Sequence, residues 1–460
     1  MRTTLRSPAT VLEDLDLVLD RMPVGMDADV RLSEQEAGTM RFANGAVHQP
    51  HLGRERSVSV RVSHDGRLGT ATTTDLSPTG IRAVIRHASD LAHLAPREKQ
   101  FPGFPSGSDR VPPVAFSRTT ATLSPEAQMR LATDAIEAAT VGAPDSQVAG
   151  AINTGFSSLA VGNTQDLRRF TRRSFVQGSV LVERSEVDPP VSGWSEGASW
   201  DVHRFDAGRL GREAADRMPR VPPRSVASGT YRVLLDGPAV SEIIGDIAHL
   251  GFGGHGEVEG WSCLKKDRGR RLFPTALTVI DNARSPLGIP EGIDHEGLPT
   301  RRHSLIAHGV VGRPVLDLVS AGRLHQRPTG HGPPPESPWG DWGPNPEHIE
   351  MSAGAERWPD LVKEVRKGIL VTRFFYVRPV HPAKGIITGM TRDGTYLIEK
   401  GEITAPVRNL RFTESVVTAL RGAETWGRER RTYSDERGGS SVHVPAAVVG
   451  RFHFTSATLF

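Results

Sequence analysis

The sequence contains one cysteine, Cys263, in 460 residues. A single cysteine cannot form an internal disulfide, and a zinc site made of several cysteines is excluded for the same reason. This composition fits a reducing compartment. Residues 1–20 lack the uninterrupted apolar core of a signal peptide, and no window approaches about 18 apolar residues in a row. We therefore expect a cytoplasmic protein without a membrane partner.

The sequence also lacks a strong excess of either charge. It has 56 Lys and Arg against 53 Asp and Glu, a net charge of +3. So small an excess in so long a chain does not favour nucleic acid as a partner. Arginines do cluster in "RRFTRRSF", residues 168–175, where the alternation predicts a strand with one charged face. We interpret that face as solvated, and a phosphate contact is the alternative.

Turn signals divide the first half of the chain into strands and helices. The segment "SVSVRVSHDGRLGTATTT" predicts a hairpin that turns at residues 64–66. Helices are predicted to start at Ser77 and Ser124, because each serine is a suitable N-cap and is followed by proline. We predict an N-terminal α+β domain over residues 1–222, a βαβ-type α/β sandwich.

The second half is richer in hairpins, with turns predicted at residues 308–309 and 400–401. We therefore predict a β-rich C-terminal domain over residues 223–460 with mostly antiparallel sheets, and the fold class is α+β. One helix is predicted within "WPDLVKEVRKGILV", with Leu361, Val362, Val365 and Ile369 on one side. The segment 327–348 is rich in proline and glycine and predicts a long loop of functional interest.

The stretch "LLDGPAVSEIIGDIAHLGFGGHGEVEG", residues 234–260, raises the question of a metal site. A strand is predicted to end near Asp236, and the helix that follows has an apolar face. His249 and His255 come at the end of that helix, with acidic residues close by. A metal could be held by these two imidazoles with a third from His331 or His443. The simpler interpretation is that His249 lies favourably in the last turn of the helix.

Several segments, taken in order, resemble the TldD/PmbA family of metallopeptidase-related proteins. They include "RFANGAVHQ", "SGTYRVLLDGPAV", "IDHEGLPTRRHSLIAHGVVGRPVLDLVSAGRL" and "YLIEKGEITAPVRNLRFTES". Each segment is weak alone, but the ordered set spans about residue 40 to residue 450. The resemblance implies a soluble protein that takes part in the cleavage of unfolded or small modified peptides.

The resemblance also implies where zinc would bind. In TldD-type subunits, the helix after the matching strand carries His-Glu-x-x-x-His, and a cysteine near the C-terminus completes the zinc site. The matching positions here are Gly245, Asp246 and Leu250, and "TYSDERGGSSVHVPAAV" near the C-terminus contains no cysteine. Glycine and leucine cannot coordinate zinc. The chain thus resembles the TldE/PmbA type, with no catalytic or metal-binding residues of its own.

This assignment implies a heterodimer in which a TldD-like partner holds the zinc and cleaves a peptide or small amide. Family members commonly have Thr-Gly-Asn near the substrate chamber, where this chain has Thr329, Gly330 and His331. The alternative for these three residues is a turn stabilised by its own hydroxyl. Two other functions stay open: a self-sufficient metallohydrolase using relocated histidines, and a binding or regulatory protein without a peptidase partner.

Two segments match the sequence patterns of catalytic motifs, but we interpret both as structural. "DHEG", residues 294–297, has no second histidine at helical spacing, and its glycine and proline neighbours predict a loop. "GWSEG", residues 193–197, matches the pattern of a nucleophile elbow but precedes no apolar helix.

Overall fold

The computed structural model describes residues 5–107, 111–335, 343–434 and 440–458. Six strands form a first sheet in the order β3-β2-β1-β4-β5-β6, and every neighbouring pair is antiparallel. The hairpin predicted at residues 64–66 is confirmed. The strands are β1 Asp27–Ala43, β2 Ala46–His64, β3 Arg67–Thr73, β4 Gln147–Asn163, β5 Arg168–Arg184 and β6 Val191–Ser199.

Helices cover one face of this sheet. They are α1 Pro8–Leu19, α2 Pro78–Leu94, α3 Arg118–Ala121, α4 Pro125–Gly142 and α5 Ala207–Arg217. The predicted N-caps are confirmed, since the Ser77 and Ser124 side chains accept hydrogen bonds from the third residue of each helix. Helix α2 packs on β2 and β3 and α5 on β5 and β6, whereas α1 packs on β1, β4 and β5 and α4 on β1, β2 and β4. Between α1 and α5 the described chain forms three strands, three helices and three more strands, without a parallel crossover.

A second sheet has eleven strands, paired mostly antiparallel, with parallel pairs only between β11 and β17 and between β7 and β12 in the described part of the chain. The predicted α+β class with mostly antiparallel sheets is thus confirmed. Its strands are β7 Gly229–Leu235, β8 Val279–Asp281, β9 His303–Ala307, β10 Val310–Val311, β11 His348–Met351, β12 Lys367–His381, β13 Ile386–Glu399, β14 Glu402–Pro406, β15 Leu410–Ser415, β16 Ala423–Tyr433 and β17 Ser441–Ala457.

Five helices accompany the second sheet in the described residues: α6 Gly237–Phe252, α7 Gly254–Glu259, α8 Leu318–Arg323, α9 Trp358–Val365 and α10 Val416–Arg421. The hairpins predicted at 308–309 and 400–401 are confirmed. The prediction that Ile369 shares the helical face of α9 is wrong. Arg366 has a φ of +57°, which ends the helix, and Ile369 pairs in β12 with Val233 and Leu397.

Alternate residues of the second sheet face opposite layers. In β7, Val233 and Leu235 belong to the large core that contains α6, whereas Leu234 packs with α9. In β17, Ala447 and Val449 face α6, and Ala446 and Val448 face α9. One face of the sheet therefore packs against α6, which we call the α6 side, and the opposite face packs against α9, which we call the α9 side. No helix of the described residues is long and apolar enough to cross a membrane.

A buried ion-pair network joins the two sheets. The Arg61 guanidinium lies 2.6 Å from Asp29 Oδ2 on β1 and 2.9 Å from Glu296 Oε1 in the loop after β8. The side chains of Asp29 and Glu296 are only 1% and 2% exposed. Arg31 donates to the carbonyl of His295 in the same loop. Arg61 therefore joins a carboxyl group on the first sheet to one in a loop of the second half, and Arg31 also lies 3.2 Å from Asp29.

We predict that Arg61→Met destabilises the protein by about 3–5 kcal/mol, because it removes a buried cation from two buried carboxyl groups and leaves Asp29 with Arg31 alone. Urea denaturation followed by tryptophan fluorescence would measure the loss. The control is Arg212→Met, since the pair of Arg212 with Asp206 is 58% exposed on both sides and is worth less than about 1 kcal/mol. Equal losses for the two variants would contradict the role given to Arg61.

Candidate functional site

Helix α6 begins as the sequence predicts. The Asp236 side chain caps it by accepting from the Gly237 N–H, and Pro238 lies in the first turn. The predicted apolar face is confirmed, and each of its side chains is at most 2% exposed. Its members are Val240, Ile243, Ile244 and Ile247.

Open space lies beside α6 at Gly245, where the family resemblance leads us to expect the first zinc ligand of TldD-type subunits. A Cβ added at Gly245 would have no atom within 4 Å apart from its own helix and neighbours. By contrast, a Cβ added at Gly251, in the same helix, would lie 2.6 Å from the Leu264 side chain. Gly245 therefore leaves a notch large enough for a side chain, while Gly251 is required by close packing.

Asp246, at the position of the family's glutamate, carries a carboxyl group without a hydrogen-bond partner. Its Oδ2 atom is buried and unpaired within the described residues. Burial raises the pKa of Asp246 well above its ordinary value, and the charge of Glu242, one turn earlier, raises it further. The site thus favours the protonated form of this carboxyl and offers no donor to orient it.

Leu250, at the position of the second ligand, is completely buried in the core that contains α6. Leu250 and Gly245 have no ligating atom, so the three motif positions supply one carboxyl and no imidazole. These residues do not fit the zinc ion that the family arrangement would hold. The segment expected to lack the cysteine ligand lies partly outside the described residues.

The structure does not bring the relocated histidines together as ligands. His249 in α6 and His255 in α7 flank Trp261, with ring centroids 6.5 and 6.2 Å from the indole. Burial lowers the pKa of His249, although a hydrogen bond with Asn345 opposes this shift. Elsewhere, His443 contacts Thr432. Across the described ranges, no three His, Cys, Asp or Glu side chains are arranged to hold a metal ion.

Thr329, Gly330 and His331 form a compact turn. The Thr329 hydroxyl accepts from the Leu316 N–H at 2.7 Å and lies 2.9 Å from His331 Nδ1. Gly330 has a φ of +79°, and a Cβ there would lie 2.6 Å from the Pro299 carbonyl oxygen. The hydroxyl therefore stabilises this turn. Gly330 and His331 also line a cleft of about 30 Å³, so the turn and cleft-lining interpretations are compatible.

His331 forms a buried ion pair that the sequence does not reveal. Its Nε2 atom lies 3.2 Å from Asp281 Oδ1. Burial opposes ionisation of both groups, but each partner favours the charged form of the other, so the pKa of His331 is raised and that of Asp281 falls to about 2. Asp281 also accepts from the Glu347 and His348 N–H groups. These residues are far apart in the sequence, so no local pattern could have identified them.

The loop at 294–297 lies on the same cleft, and its prediction as a turn is confirmed. The Gly297 N–H donates to the Asp294 carbonyl, and the Asp294 carboxylate accepts from three backbone N–H groups. Burial lowers the pKa of His295 to about 4. Residues 193–197, which we predicted not to be a nucleophile elbow, lie within strand β6. They are not at a strand-to-helix turn, so this prediction is confirmed.

The family model of the PmbA/TldA metallopeptidase C-terminal domain matches residues 228–456, and that of the PmbA/TldA metallopeptidase domain 1 matches residues 28–92. The chain belongs to the TldD/PmbA family. It is 22% identical over 449 residues to the metalloprotease PmbA of Escherichia coli O157:H7, covering 92% of each chain. A metalloprotease of Methanothermobacter thermautotrophicus is 22% identical over 427 residues, 91% of each chain.

Solved structures show the same fold at low sequence identity. TldE from Thermococcus kodakarensis superposes with a TM-score of 0.82 at 16% identity, covering 97% of this chain and 99% of that one. A Thermotoga maritima protein superposes with a TM-score of 0.79 at 18% identity, covering 98% and 100%. The metallopeptidase-like fold of the family therefore extends over nearly the whole of this chain.

We predict that Gly245→Ala stabilises the protein by about 0.5–1 kcal/mol, because alanine favours the helix and the added methyl group enters open space. The matched control is Gly251→Ala in the same helix, which should be destabilising because its methyl group meets Leu264. Chemical denaturation measures the free energy of unfolding of both variants, which should rise for Gly245→Ala and fall for Gly251→Ala. A loss of stability for Gly245→Ala would show that the notch is filled.

We predict that Asp246→Asn raises the free energy of unfolding at pH 7, because the folded chain disfavours the ionised carboxyl that the unfolded chain carries. The pKa of Asp246 is higher in the folded chain than its ordinary 3.8. The unfolded state therefore ionises first, and the wild type loses stability as pH rises above that value. The gain should disappear near pH 3. The exposed variant Asp360→Asn, which should show no such pH-dependent gain, is the control.

Proposed function

We propose that this chain is a cytoplasmic, metal-free and non-catalytic TldE/PmbA-like subunit. It assembles with a TldD-like zinc metallopeptidase and helps to form the chamber in which unfolded or small modified peptides are cleaved. One observation carries the proposal. The positions on α6 that we align with the family's zinc motif are Gly245, Asp246 and Leu250, and glycine and leucine have no ligating atom in their side chains.

The chemistry in the complex would belong to the partner. A zinc ion held by two imidazoles activates a water molecule for attack on an amide, and a neighbouring carboxylate takes the proton. The α6 notch of this chain supplies one protonated carboxyl, which does not perform that step. Its contribution would be to bind the partner, to exclude bulk water and to orient the peptide in an extended form.

The turn at Thr329, Gly330 and His331 is proposed as a wall of that chamber. The support is physical: the His331–Asp281 pair and the hydroxyl of Thr329 fix the turn, so it is a rigid surface rather than an adaptable loop. Gly330 keeps this backbone free of a side chain where it approaches Pro299. A rigid turn of this kind can present backbone groups to a substrate at constant geometry.

Native mass spectrometry of the chain captured from its own cells tests the proposal. We expect a one-to-one assembly with a different chain of similar size, and one zinc ion that stays with that partner on dissociation. The reconstituted complex with Asp246→Ala should keep its peptidase activity within about twofold, because Asp246 takes no part in the reaction. Chelation of zinc should abolish activity in both complexes.

Two outcomes would contradict the proposal. The first is stoichiometric zinc in the isolated chain, which would favour a self-sufficient hydrolase. The second is a collapse of turnover in the Asp246→Ala complex while assembly is intact.

A further inference from the structure

A cavity of about 560 Å³ lies on the α9 side of the second sheet, away from the notch at Gly245. Leu361, Leu370 and Ala446 line it, and these residues belong to the core that faces α9. The next residue in the strand, Ala447, belongs instead to the core that contains α6. The cavity also reaches the start of α6, because Gly237, Tyr433 and Val444 line it and the last two belong to the core that contains α6. Gly245, Asp246 and Leu250 do not line it.

The floor of the cavity is one face of β16. Gly427, Glu429, Arg431 and Tyr433 all line it, and such alternate residues point to the same side of a strand. A wall comes from α5, which belongs to the first sheet's helical layer, and Trp358 of α9 lies on the opposite side. The cavity thus occurs where the two halves of the chain meet, a common place for ligand sites.

Tyr433 presents a hydroxyl to the cavity. The residue is 5% exposed and lines the cavity, and its hydroxyl makes no hydrogen bond within the described part of the chain. Gly237 makes room for it, because a Cβ there would lie 2.1 Å from the hydroxyl oxygen. Burial raises the pKa of Tyr433, so the phenol stays neutral. The hydroxyl is therefore available to donate a hydrogen bond to a ligand that enters the cavity.

The fixed charges around Tyr433 are already paired. Arg217 forms an ion pair with Asp236, and Arg431 forms one with Glu213. These two arginines therefore do not call for an anionic ligand. The two ion pairs instead join α5, the wall of the cavity, to Asp236 and to β16, the floor, around the phenol.

The remaining charges give the cavity a negative character. Asp216, Glu356 and Glu429 line it and form no ion pair within the described residues. Arg220 offsets one of these charges, because its hydrogen bonds to the carbonyls of Gly142 and Ala215 leave the guanidinium positive. Five carboxyl groups and three arginines line the cavity in all, so a surplus of two negative charges remains. A cavity with this surplus of carboxylates attracts a cationic group.

The side of the cavity is a free strand edge. Residues 403–406 of β14 all line it, although consecutive side chains point to opposite faces of a sheet. A bulge at Thr404 interrupts this alternation, since Ile403 pairs with Ile398 and Ala405 with Leu397. At the end of the strand, the Pro406 carbonyl already accepts from the Arg224 N–H, so the free part of the edge is residues 403–405. β14 pairs with β13 alone, and residues 403–405 make no other backbone hydrogen bond in the described ranges. Such an edge is a template for an added strand.

We propose that this cavity binds an extended peptide segment carrying a lysine or arginine side chain. The peptide backbone pairs with the edge of β14, and the cationic side chain lies before Asp216, Glu356 and Glu429. The Tyr433 hydroxyl donates to a carbonyl of the peptide. The inference deepens the proposed function, on which the peptide nature of the ligand rests, and it places a peptide site within this chain itself.

Fluorescence anisotropy of the isolated full chain tests the site with three labelled seven-residue peptides. The first is made of threonine and valine with one central lysine, the second has glutamate at that position, and the third is the lysine peptide with alternate amides methylated. We expect the lysine peptide to bind at least about tenfold more tightly than either of the others, since a charge reversal and the loss of strand pairing each cost about 1.4 kcal/mol or more.

Variants assign the binding to this cavity. Tyr433→Phe should weaken binding of the lysine peptide about threefold to tenfold, the range of one hydrogen bond. The triple variant Asp216→Asn, Glu356→Gln, Glu429→Gln should remove the preference for lysine over glutamate. Asp360→Asn is the matched control, because it neutralises an exposed carboxylate on α9 outside the cavity and should change nothing.

Equal binding of the lysine and glutamate peptides would overturn the inference, as would affinities that neither Tyr433→Phe nor the triple variant changes. Absence of binding would overturn it too. None of these results bears on assembly with a zinc-bearing partner, which native mass spectrometry reports separately. Failure of this site and failure of the proposed function are therefore distinguishable.

Discussion

The burial of α6 against one face of the second sheet fixes the positions on which the functional argument depends. Val233 and Leu235 of β7 and Ile369 of β12 meet the apolar face of the helix in one continuous core. Apolar burial of this kind is the main favourable term in folding. It sets which side of α6 faces outward, and so it decides that Gly245 borders open space while Leu250 is buried.

The second sheet also has two chemically different faces. The side chains of each strand alternate between them, so the residues that do not face α6 form a second layer on the opposite face. In this protein α9 covers that layer only in part, and the cavity opens beside Leu361 and Leu370. The joint between the two halves has apolar and polar contacts: Ile293 packs with Leu159 and Leu167, and Arg61 pairs with Asp29 and Glu296.

Elements whose structure depends on neighbouring residues could be predicted from the sequence. The turn at residues 64–66, the caps Ser77 and Ser124, and the apolar face of α6 could all be predicted. Ile369 was placed in a helix because the apolar spacing continues past Val365, whereas pairing with β7 and β13 draws it into a strand. The His331–Asp281 pair and the unpartnered Tyr433 depend on contacts between distant segments, and a single sequence carries no signal for such contacts.

A helix held by apolar burial can lose metal-binding residues without losing its place. In small zinc-dependent domains the metal supplies much of the folding free energy, and the fold is lost with it. Here α6 has eleven buried residues, among them Ile244 and Ile247, so its position does not require a bound ion. Changes at the motif positions therefore alter the chemistry beside the helix and leave the sheet behind it intact. Of the α6 residues, Gly237 lines the proposed peptide site, whereas Gly245, Asp246 and Leu250 do not. We therefore expect peptide binding there to be independent of whether the motif helix can hold zinc.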